Sequence, residues 1–257
     1  MKNCLHKFKI YKYGFTLAEV LITLVVIGVV AAMTIPTLVA RYEEQVTVAR
    51  VQKAYSTVAQ AWAKFQSDNG CTGTVEGCLQ DNEELYNQNP FHERFLKYFN
   101  YVQKIPTNTS LSNINWLPDK AYYLNGSEIT DSINWMGIYK RTSSGANTYF
   151  TLSDGMIFKI QMPDGQRKSG FIFFDTNGGK GPNRIGKDQF PIGIGAYNNP
   201  EYEGKVHPFY NEDDSPSYDK GLCSIRNNNN CSPDTCTQTN CSPTAYVLKH
   251  KKLPPIN

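Results

Sequence analysis

The sequence predicts an α+β protein in which one long N-terminal helix packs on an antiparallel β-sheet head with disulfide-stapled C-terminal loops. Three observations predict this class. An apolar run over residues 15–40 continues as a helical apolar stripe to residue 68. Strand patterns separated by turn pairs follow between residues 121 and 174. Six cysteines lie after the apolar run, four of them within residues 223–241.

The overall charge argues against a nucleic-acid-binding surface. The formal charge of +3 arises because the four lysines before Gly14 are not balanced by any acidic residue there. Without residues 1–14, 22 of the 26 basic residues remain against 23 acidic ones, a net charge of −1. Such a balance does not provide the basic surface that phosphate binding needs.

The apolar run predicts a single membrane-spanning helix with a cytoplasmic N-terminus. Residues 15–40 carry one charge, Glu19, and would form a helix about 39 Å long, enough to cross a hydrocarbon core of about 30 Å. The preceding lysines keep the N-terminus inside, so everything after Ala40 is exported. An ordinary signal anchor would meet these criteria too. It does not explain Glu19, since a carboxylate in a membrane helix costs roughly 2.5–3.5 kcal/mol.

The residues around Glu19 resemble a known motif. The sequence GFTLAEVLI at residues 14–22 is similar to the prepilin cleavage and methylation motif of type IV pilins and type II secretion pseudopilins. The resemblance covers about 30 residues and implies a pilin-like fold. It also implies that prepilin peptidase cuts after Gly14 and methylates the new amine of Phe15. Glu19 would then be the acidic fifth residue of the mature chain, and Pro36 matches a proline that many of these helices carry.

The resemblance implies a structural subunit that needs no cofactor. Its partners would be prepilin peptidase, the bacterial inner membrane, the secretion or pilus assembly machinery, and other subunits in a homo- or hetero-polymer. The free amine of Phe15 is a cation, and Glu19 of a neighbouring subunit would neutralise it in the filament. The alternative is a membrane-anchored extracytoplasmic binding protein, or a minor pilin adhesin, that does not polymerise in bulk.

Four segments follow from this reading: a cleaved cytoplasmic leader (1–14), a membrane and assembly helix (15–40), its amphipathic continuation (41–68) and an exported head (69–257). We expect Asp68-Asn69-Gly70 to end the helix. The apolar stripe that would lie on the head comprises Val51, Ala54, Tyr55, Val58, Ala61, Trp62 and Phe65.

In the head, the patterns predict a short helix and an antiparallel sheet. The helix starts at Asn89-Pro90, and its buried side is formed by Phe91, Phe95, Phe99 and Val102. One hairpin joins residues 121–124 and 127–129 through Asn125-Gly126. A second joins 148–152 and 156–161, and residues 171–174 form a buried strand.

The cysteines indicate disulfides formed in an oxidising compartment. Cys71 and Cys78 flank a short loop and are interpreted as a pair. The last four permit three pairings, among which the sequence does not choose: Cys223, Cys231, Cys236 and Cys241. Neither group has the ligand spacing of a zinc site.

Residues 175–188, DTNGGKGPNRIGKD, offer two interpretations. Asp175, Asn177, Asn183 and Asp188 are oxygen donors in a glycine-rich loop, as calcium requires. The loop resembles the C-terminal calcium loops of major pseudopilins, although it lacks the final Glu of an EF-hand. In the other interpretation, the Asp and Asn side chains cap the backbone of an ordinary turn.

No pattern indicates an enzyme. The four histidines, His6, His92, His207 and His250, are scattered, and neither a nucleophile elbow nor a phosphate loop is present. We expect His92 to be a surface or packing residue and His207 to lie at the surface.

Overall fold

A 53-residue helix, α1 (Leu17–Asn69), begins the architecture. The computed structural model describes residues 14–71, 91–124, 126, 128–129, 137–140, 147–161, 170–194, 204–208 and 243–254. The chain divides into two units, Met1–Glu43 and Glu44–Asn257. The described part of the first unit is the apolar part of α1 with the three residues before it, and the second unit contains the sheet.

In the first unit, α1 exposes apolar side chains on all sides. Every large apolar residue from Leu17 to Val39 is between 42% and 79% exposed. In water such a surface is unfavourable by about 25 cal/mol per Å², so these residues require a lipid or protein environment. The α-helix continues through Pro36.

In the second unit, α1 is amphipathic and buries one stripe. The buried positions recur at intervals of three and four residues, which places them on one helix face. They are Val48, Val51, Ala54, Val58, Ala61, Trp62 and Phe65. The helix ends at Asn69, and Gly70 follows with φ +65°, a conformation that favours glycine. The prediction that Asp68-Asn69-Gly70 ends the helix is therefore confirmed.

The remaining elements are short. They are α2 (Phe91–Leu96), β1 (Tyr101–Ile105), β2 (Asn147–Leu152), β3 (Ile157–Gln161), β4 (Gly170–Asp175), β5 (Gln189–Ile194), β6 (Val206–His207) and α3 (Pro243–His250). The six strands form one antiparallel sheet in the order β1-β2-β3-β4-β5-β6. The predicted hairpin over residues 148–161 is confirmed as β2 and β3, and the predicted strand over 171–174 lies within β4.

The sheet is buried on both faces. One face packs against α1 and α2, and its centre is a row of four stacked phenylalanines, Phe150, Phe158, Phe174 and Phe190. Neighbouring rings in this row lie 5.2–5.7 Å apart, because each residue faces the next across the strands. The other face carries a second apolar cluster built largely from the connecting segments between residues 105 and 139. Burial on both faces explains why the central strands are nearly continuous apolar runs.

One local prediction is confirmed in part and another was wrong. In the predicted hairpin, Tyr122 and Glu128 form an antiparallel bridge and the Ile129 N–H donates to the Ala121 carbonyl at 2.9 Å, while Asn125 and Ser127 lie outside the described residues. The backbone of Tyr122 also pairs with the 183–185 segment, donating to the carbonyl of Asn183 and accepting from Ile185, both at 2.9 Å. Val102 is 63% exposed because α2 ends at Leu96 and Val102 already belongs to β1, where helical spacing no longer applies.

Candidate functional site

The N-terminal motif lies at the start of α1, where local chemistry fixes its geometry. Gly14 and Phe15 precede the helix and are exposed, with Phe15 at 87%. Thr16 occupies the N-cap position immediately before Leu17. Among the described residues, no heavy atom lies within 4 Å of the position where a Cβ on Gly14 would lie, so nothing described packs against this side of Gly14.

Glu19 and Thr16 form a reciprocal capping box. The Glu19 backbone N–H donates to Thr16 Oγ1 at 3.2 Å. In return, Glu19 Oε2 accepts from the backbone N–H and from the hydroxyl of Thr16, both at 2.8 Å. This arrangement satisfies two N–H groups that the first helical turn would otherwise leave without partners. It also holds the carboxylate at the positive end of the helix dipole, beside the position of the Phe15 amine.

The apolar part of α1 meets the physical requirements for a membrane span. Among the described residues it is the one helix that is long and apolar enough to cross a bilayer, and none of its most apolar 18-residue window is buried. The threonine hydroxyls in this part of α1 form hydrogen bonds within the helix. Thr23, Thr34 and Thr37 each donate to a backbone carbonyl three or four residues earlier, at 2.8–2.9 Å. These polar groups therefore do not obstruct insertion into a lipid core.

The loop after β4 brings together all four residues predicted as oxygen donors. Asp188 lies at its centre. The Asp188 carboxylate accepts from the Asn183 N–H at 2.7 Å, from the Asn177 side-chain amide at 3.2 Å, and from the Arg184 N–H. The Asp188 carbonyl also accepts from the Thr176 N–H at 2.8 Å. Asp188 therefore joins the two ends of the loop.

Asp175 is buried at the end of β4 and binds the start of the loop. Its Oδ1 accepts from the N–H groups of Asn177 at 2.9 Å and Gly178 at 3.0 Å, which makes an Asx turn. Its Oδ2 accepts from the side chain of Gln189 at 3.2 Å. Gly178 has φ +76°, and an added Cβ there would lie 2.5 Å from the Gly155 carbonyl, so this turn requires glycine.

The two carboxyl groups are destabilised as anions by their surroundings. The pKa of Asp188 is raised to about 6, chiefly by burial and secondly by the nearby charge of Asp175. Burial also raises the pKa of Asp175, against the lowering effect of its N–H donors. Two buried like charges would each be stabilised by a cation bound between them.

The loop also contains two side-chain oxygens that accept no hydrogen bond from any described residue. Asn177 Oδ1 and Asn183 Oδ1 are buried atoms with no hydrogen-bond partner among the described residues. Together with the two carboxylates they form an all-oxygen donor set, which fits a hard cation such as calcium rather than a transition metal. The described residues contain no group of three or more His, Cys, Asp or Glu side chains placed to hold a metal. A cation here would therefore depend on the amide oxygens and on water.

Two side chains that sequence reasoning missed position this loop. Arg50 of α1 donates through Nη1 to the Thr176 carbonyl at 2.8 Å. Gln189 donates to the Ile138 carbonyl at 2.8 Å and accepts from the Ile138 N–H at 2.9 Å while it contacts Asp175. Arg50 falls outside the apolar stripe, and the contact of Gln189 with residue 138 depends on tertiary structure. Neither has a signal in the sequence.

The histidines and cysteines do not form a catalytic group among the described residues. His92 is buried, as a packing residue, and burial lowers its pKa to about 4. The expectation that His207 lies at the surface was wrong. It is buried because β6 pairs with β5, and its ring lies against Gly193, where a Cβ would collide with the imidazole. His250 is exposed, and His6 lies outside the described residues.

Of the six cysteines after the apolar run, the structure describes one. Cys71 is buried and disulfide-bonded. Its pairing with Cys78 stays a prediction, as do the pairings near the C-terminus, because the other five cysteines lie outside the described residues: Cys78, Cys223, Cys231, Cys236 and Cys241.

Comparison with known proteins supports the reading of the N-terminus. Residues 11–35 match the family described as "Prokaryotic N-terminal methylation motif", the signature of type IV pilins and pseudopilins. The match spans Gly14, Phe15 and Glu19 and ends just before Pro36. Neither the curated proteins nor the solved structures that were searched gave a match.

Proposed function

We propose that this chain is the precursor of a structural subunit of a type IV pilus or a type II secretion pseudopilus. Prepilin peptidase cuts it after Gly14 and methylates the amine of Phe15. The mature chain is held in the inner membrane by residues 15–40, with its head on the exported side, until it enters a filament. The observation that carries this proposal is the methylation motif at the start of the apolar part of α1, whose large apolar side chains are exposed.

The geometry at Glu19 supports a role for this residue before and during assembly. In the single chain, the Thr16 capping box satisfies the carboxylate and lowers the cost of placing it in lipid. In a filament, the methylated amine of Phe15 on a neighbouring subunit is a stronger partner, because an ion pair between two opposite charges in a low dielectric exceeds a hydrogen bond from a neutral donor to the carboxylate. Glu19 would exchange its local partner for this one.

Mass analysis of the N-terminal peptide tests processing and polymerisation together. We expect filaments sheared from cells to yield a peptide that begins at Phe15 and is one methyl group heavier than the encoded mass. A processed peptide found only in membranes would restrict the proposal to a pseudopilin or minor subunit. A chain that still begins at Met1 in both fractions would contradict the proposal.

The second candidate is a processed, membrane-anchored binding protein or minor adhesin that does not polymerise in bulk. The capping box supports this second candidate, because the contact gives Glu19 a function within one chain, independent of any neighbour. The substitution Glu19→Ala distinguishes the filament subunit from the anchored protein that does not polymerise. A filament subunit carrying it should be cleaved and inserted but absent from filaments, whereas a solitary anchored protein should keep its localisation and binding. Thr16→Ala is the matched control, because it removes the cap and leaves the carboxylate in place.

We also propose that residues 175–188 bind calcium through Asp175, Asp188, Asn177 and Asn183. The support is the buried pair of carboxylates and the two unsatisfied amide oxygens beside them. Bound calcium would neutralise the two carboxylates and order the loop.

Thermal unfolding in calcium and in chelator tests this second proposal. Calcium should raise the Tm of the unmodified protein. Asp175→Ala should remove this increase, and so should the nearly isosteric Asp188→Asn, which preserves the loop shape better. Asp119→Ala, at an exposed position outside the loop, is the control and should keep the calcium effect. An equal Tm in calcium and chelator for the unmodified protein would exclude the metal.

A further inference from the structure

Arg50 connects the amphipathic part of α1 to the start of the 175–188 loop. Its Nη1 donates to the Thr176 carbonyl at 2.8 Å, across 126 positions of the sequence. Among the described residues, Arg50 donates to this backbone carbonyl and to neither of the two carboxylates of the loop. The contact therefore fixes the position of a peptide group and does not neutralise a carboxylate.

Thr176 is held from the loop as well as from α1. It is 1% exposed, and its N–H and its hydroxyl both donate to the Asp188 carbonyl, at 2.8 and 3.1 Å. In sequence it lies between Asp175 and Asn177. Its peptide groups cannot shift without moving these neighbours, because each residue has only two soft backbone dihedral angles. The residue that α1 holds is thus joined to three of the four residues that we propose as calcium ligands.

The α1 side of this contact is fixed by the core. Arg50 lies between Val48 and Val51, which are both buried in the apolar stripe. One turn later, Lys53 forms an ion pair with Asp154 at 2.7 Å, but Lys53 is 58% exposed, and an exposed ion pair contributes little. The hydrogen bond of Arg50 is partly buried and is therefore the stronger of these two links between α1 and the loops beside it.

We propose that Arg50 is a positioning residue for calcium binding, and that bound calcium in turn strengthens the docking of α1 on the head. This inference rests on the proposed calcium site and adds a regulatory consequence to it. By holding Thr176, Arg50 orders the loop before an ion arrives, so less ordering opposes binding. Coupling of this kind is reciprocal, so an ion that orders the loop also favours the contact with α1. The simplest alternative is that Arg50 only stabilises the fold, which would leave the affinity for calcium unchanged.

Isothermal titration of calcium into the full chain in detergent tests the positioning role. We expect Arg50→Ala to weaken calcium binding by about fivefold or more, the lower end of typical coupling between sites, and Arg50→Lys, which keeps an N–H donor, to recover much of the loss. Lys53→Gln removes an equal charge one turn away and should bind calcium like the unmodified chain. Removing a positive charge by itself would favour a cation. Equal or tighter binding by Arg50→Ala would therefore overturn the proposal.

Amide hydrogen exchange of α1 tests the reciprocal effect. In saturating calcium, residues 48–57 should exchange about fivefold more slowly than in chelator, and Arg50→Ala should lose this difference. Residues 62–69 are the internal control, because Trp62 and Gln66 bind the Gly204 carbonyl, at 2.8 and 3.0 Å, and not the loop. No slowing, or equal slowing of both segments, would overturn the coupling through Arg50. An unmodified chain that binds no calcium would contradict the calcium site itself, so the two failures are distinguishable.

Discussion

Thr16 is the residue that determines how Glu19 is presented. It donates two hydrogen bonds to Glu19, one from its backbone N–H and one from its hydroxyl, and the hydroxyl oxygen accepts one from the Glu19 N–H; Thr16→Ala removes the two that involve the hydroxyl. We expect Thr16→Ala to destabilise the start of α1 by about 1 kcal/mol. Amide hydrogen exchange of the first helical turn in detergent micelles measures this. Thr16→Ser, which keeps the hydroxyl, should exchange like the unmodified protein, and faster exchange in Thr16→Ser would contradict this account.

We expect the burial of His92 to lower the stability of the head in acid, whereas the raised pKa of Asp188 acts in the opposite direction. The pKa of His92 is about 4 in the folded head, against about 6.5 in an unfolded chain, because burial disfavours the imidazolium. The unfolded state therefore binds a proton at His92 first, and the contribution of His92 to the free energy of unfolding falls as the pH drops from 6.5 towards 4. At pH 5 this loss amounts to about 2 kcal/mol relative to pH 7.

Urea unfolding at pH 5 and pH 7 tests this. Compared with the unmodified protein, His92→Gln should raise the urea midpoint at pH 5 relative to that at pH 7, while the opposing contribution of Asp188, whose pKa is raised to about 6, is the same in both proteins. An unchanged difference between the two midpoints would contradict this account of His92.

Among the elements, the row of stacked phenylalanines lies at the centre of the sheet face that packs against α1. Phe174 is fully buried between Phe158 and Phe190, with ring centroids 5.7 Å away on each side. We expect Phe174→Ala to reduce the free energy of unfolding by about 3–5 kcal/mol, because it removes a large side chain and leaves a cavity. Val102→Ala, at an exposed strand position, should change it by less than about 0.5 kcal/mol. Chemical denaturation of both variants checks this contrast.

How much the sequence predicts differs from element to element. Trp62 and Phe65 could be placed in the core because helical periodicity is a local property of the chain. Lys159 could not, since it is a charged residue in an apolar strand and its full burial depends on partners that are distant in sequence. One is the Gly137 carbonyl, to which its ammonium donates at 3.2 Å; another is the ring of Phe173. Contacts of this kind can be predicted only when the register of the strands is known.

In the candidate sites, too, local motifs could be predicted from the sequence and contacts between distant residues could not. Gly14, Phe15 and Glu19 are adjacent in sequence, so a linear motif suffices to find them. Asp175 and Asp188 were selected as oxygen donors in one loop, but their burial and mutual charge effect depend on the sheet that ends at Asp175. Arg50, which holds the Thr176 carbonyl from α1, is separated from it by 126 residues and could not be anticipated.

At the scale of the whole molecule, the chain combines surfaces suited to two solvents. Apolar side chains are exposed along one part of α1, and a second part of the same helix buries its apolar stripe in the head. A hydrophobic surface that is exposed in one chain must be covered by lipid or by other chains. The protein should therefore require detergent in its full-length form and lose this requirement when the exposed part is removed.

The change in exposure along α1 determines where a soluble head can be cut from this protein. A chain that starts between Arg41 and Glu44 retains Glu44, which accepts a hydrogen bond from the Leu253 N–H, and the whole buried stripe from Val48 onward. We expect it to be soluble and monomeric, with a cooperative thermal transition. Starting at Lys53 instead would remove Glu44, Arg50 and two buried valines, and should give an aggregating protein. Light scattering of the two truncated chains would place the boundary between Glu44 and Lys53.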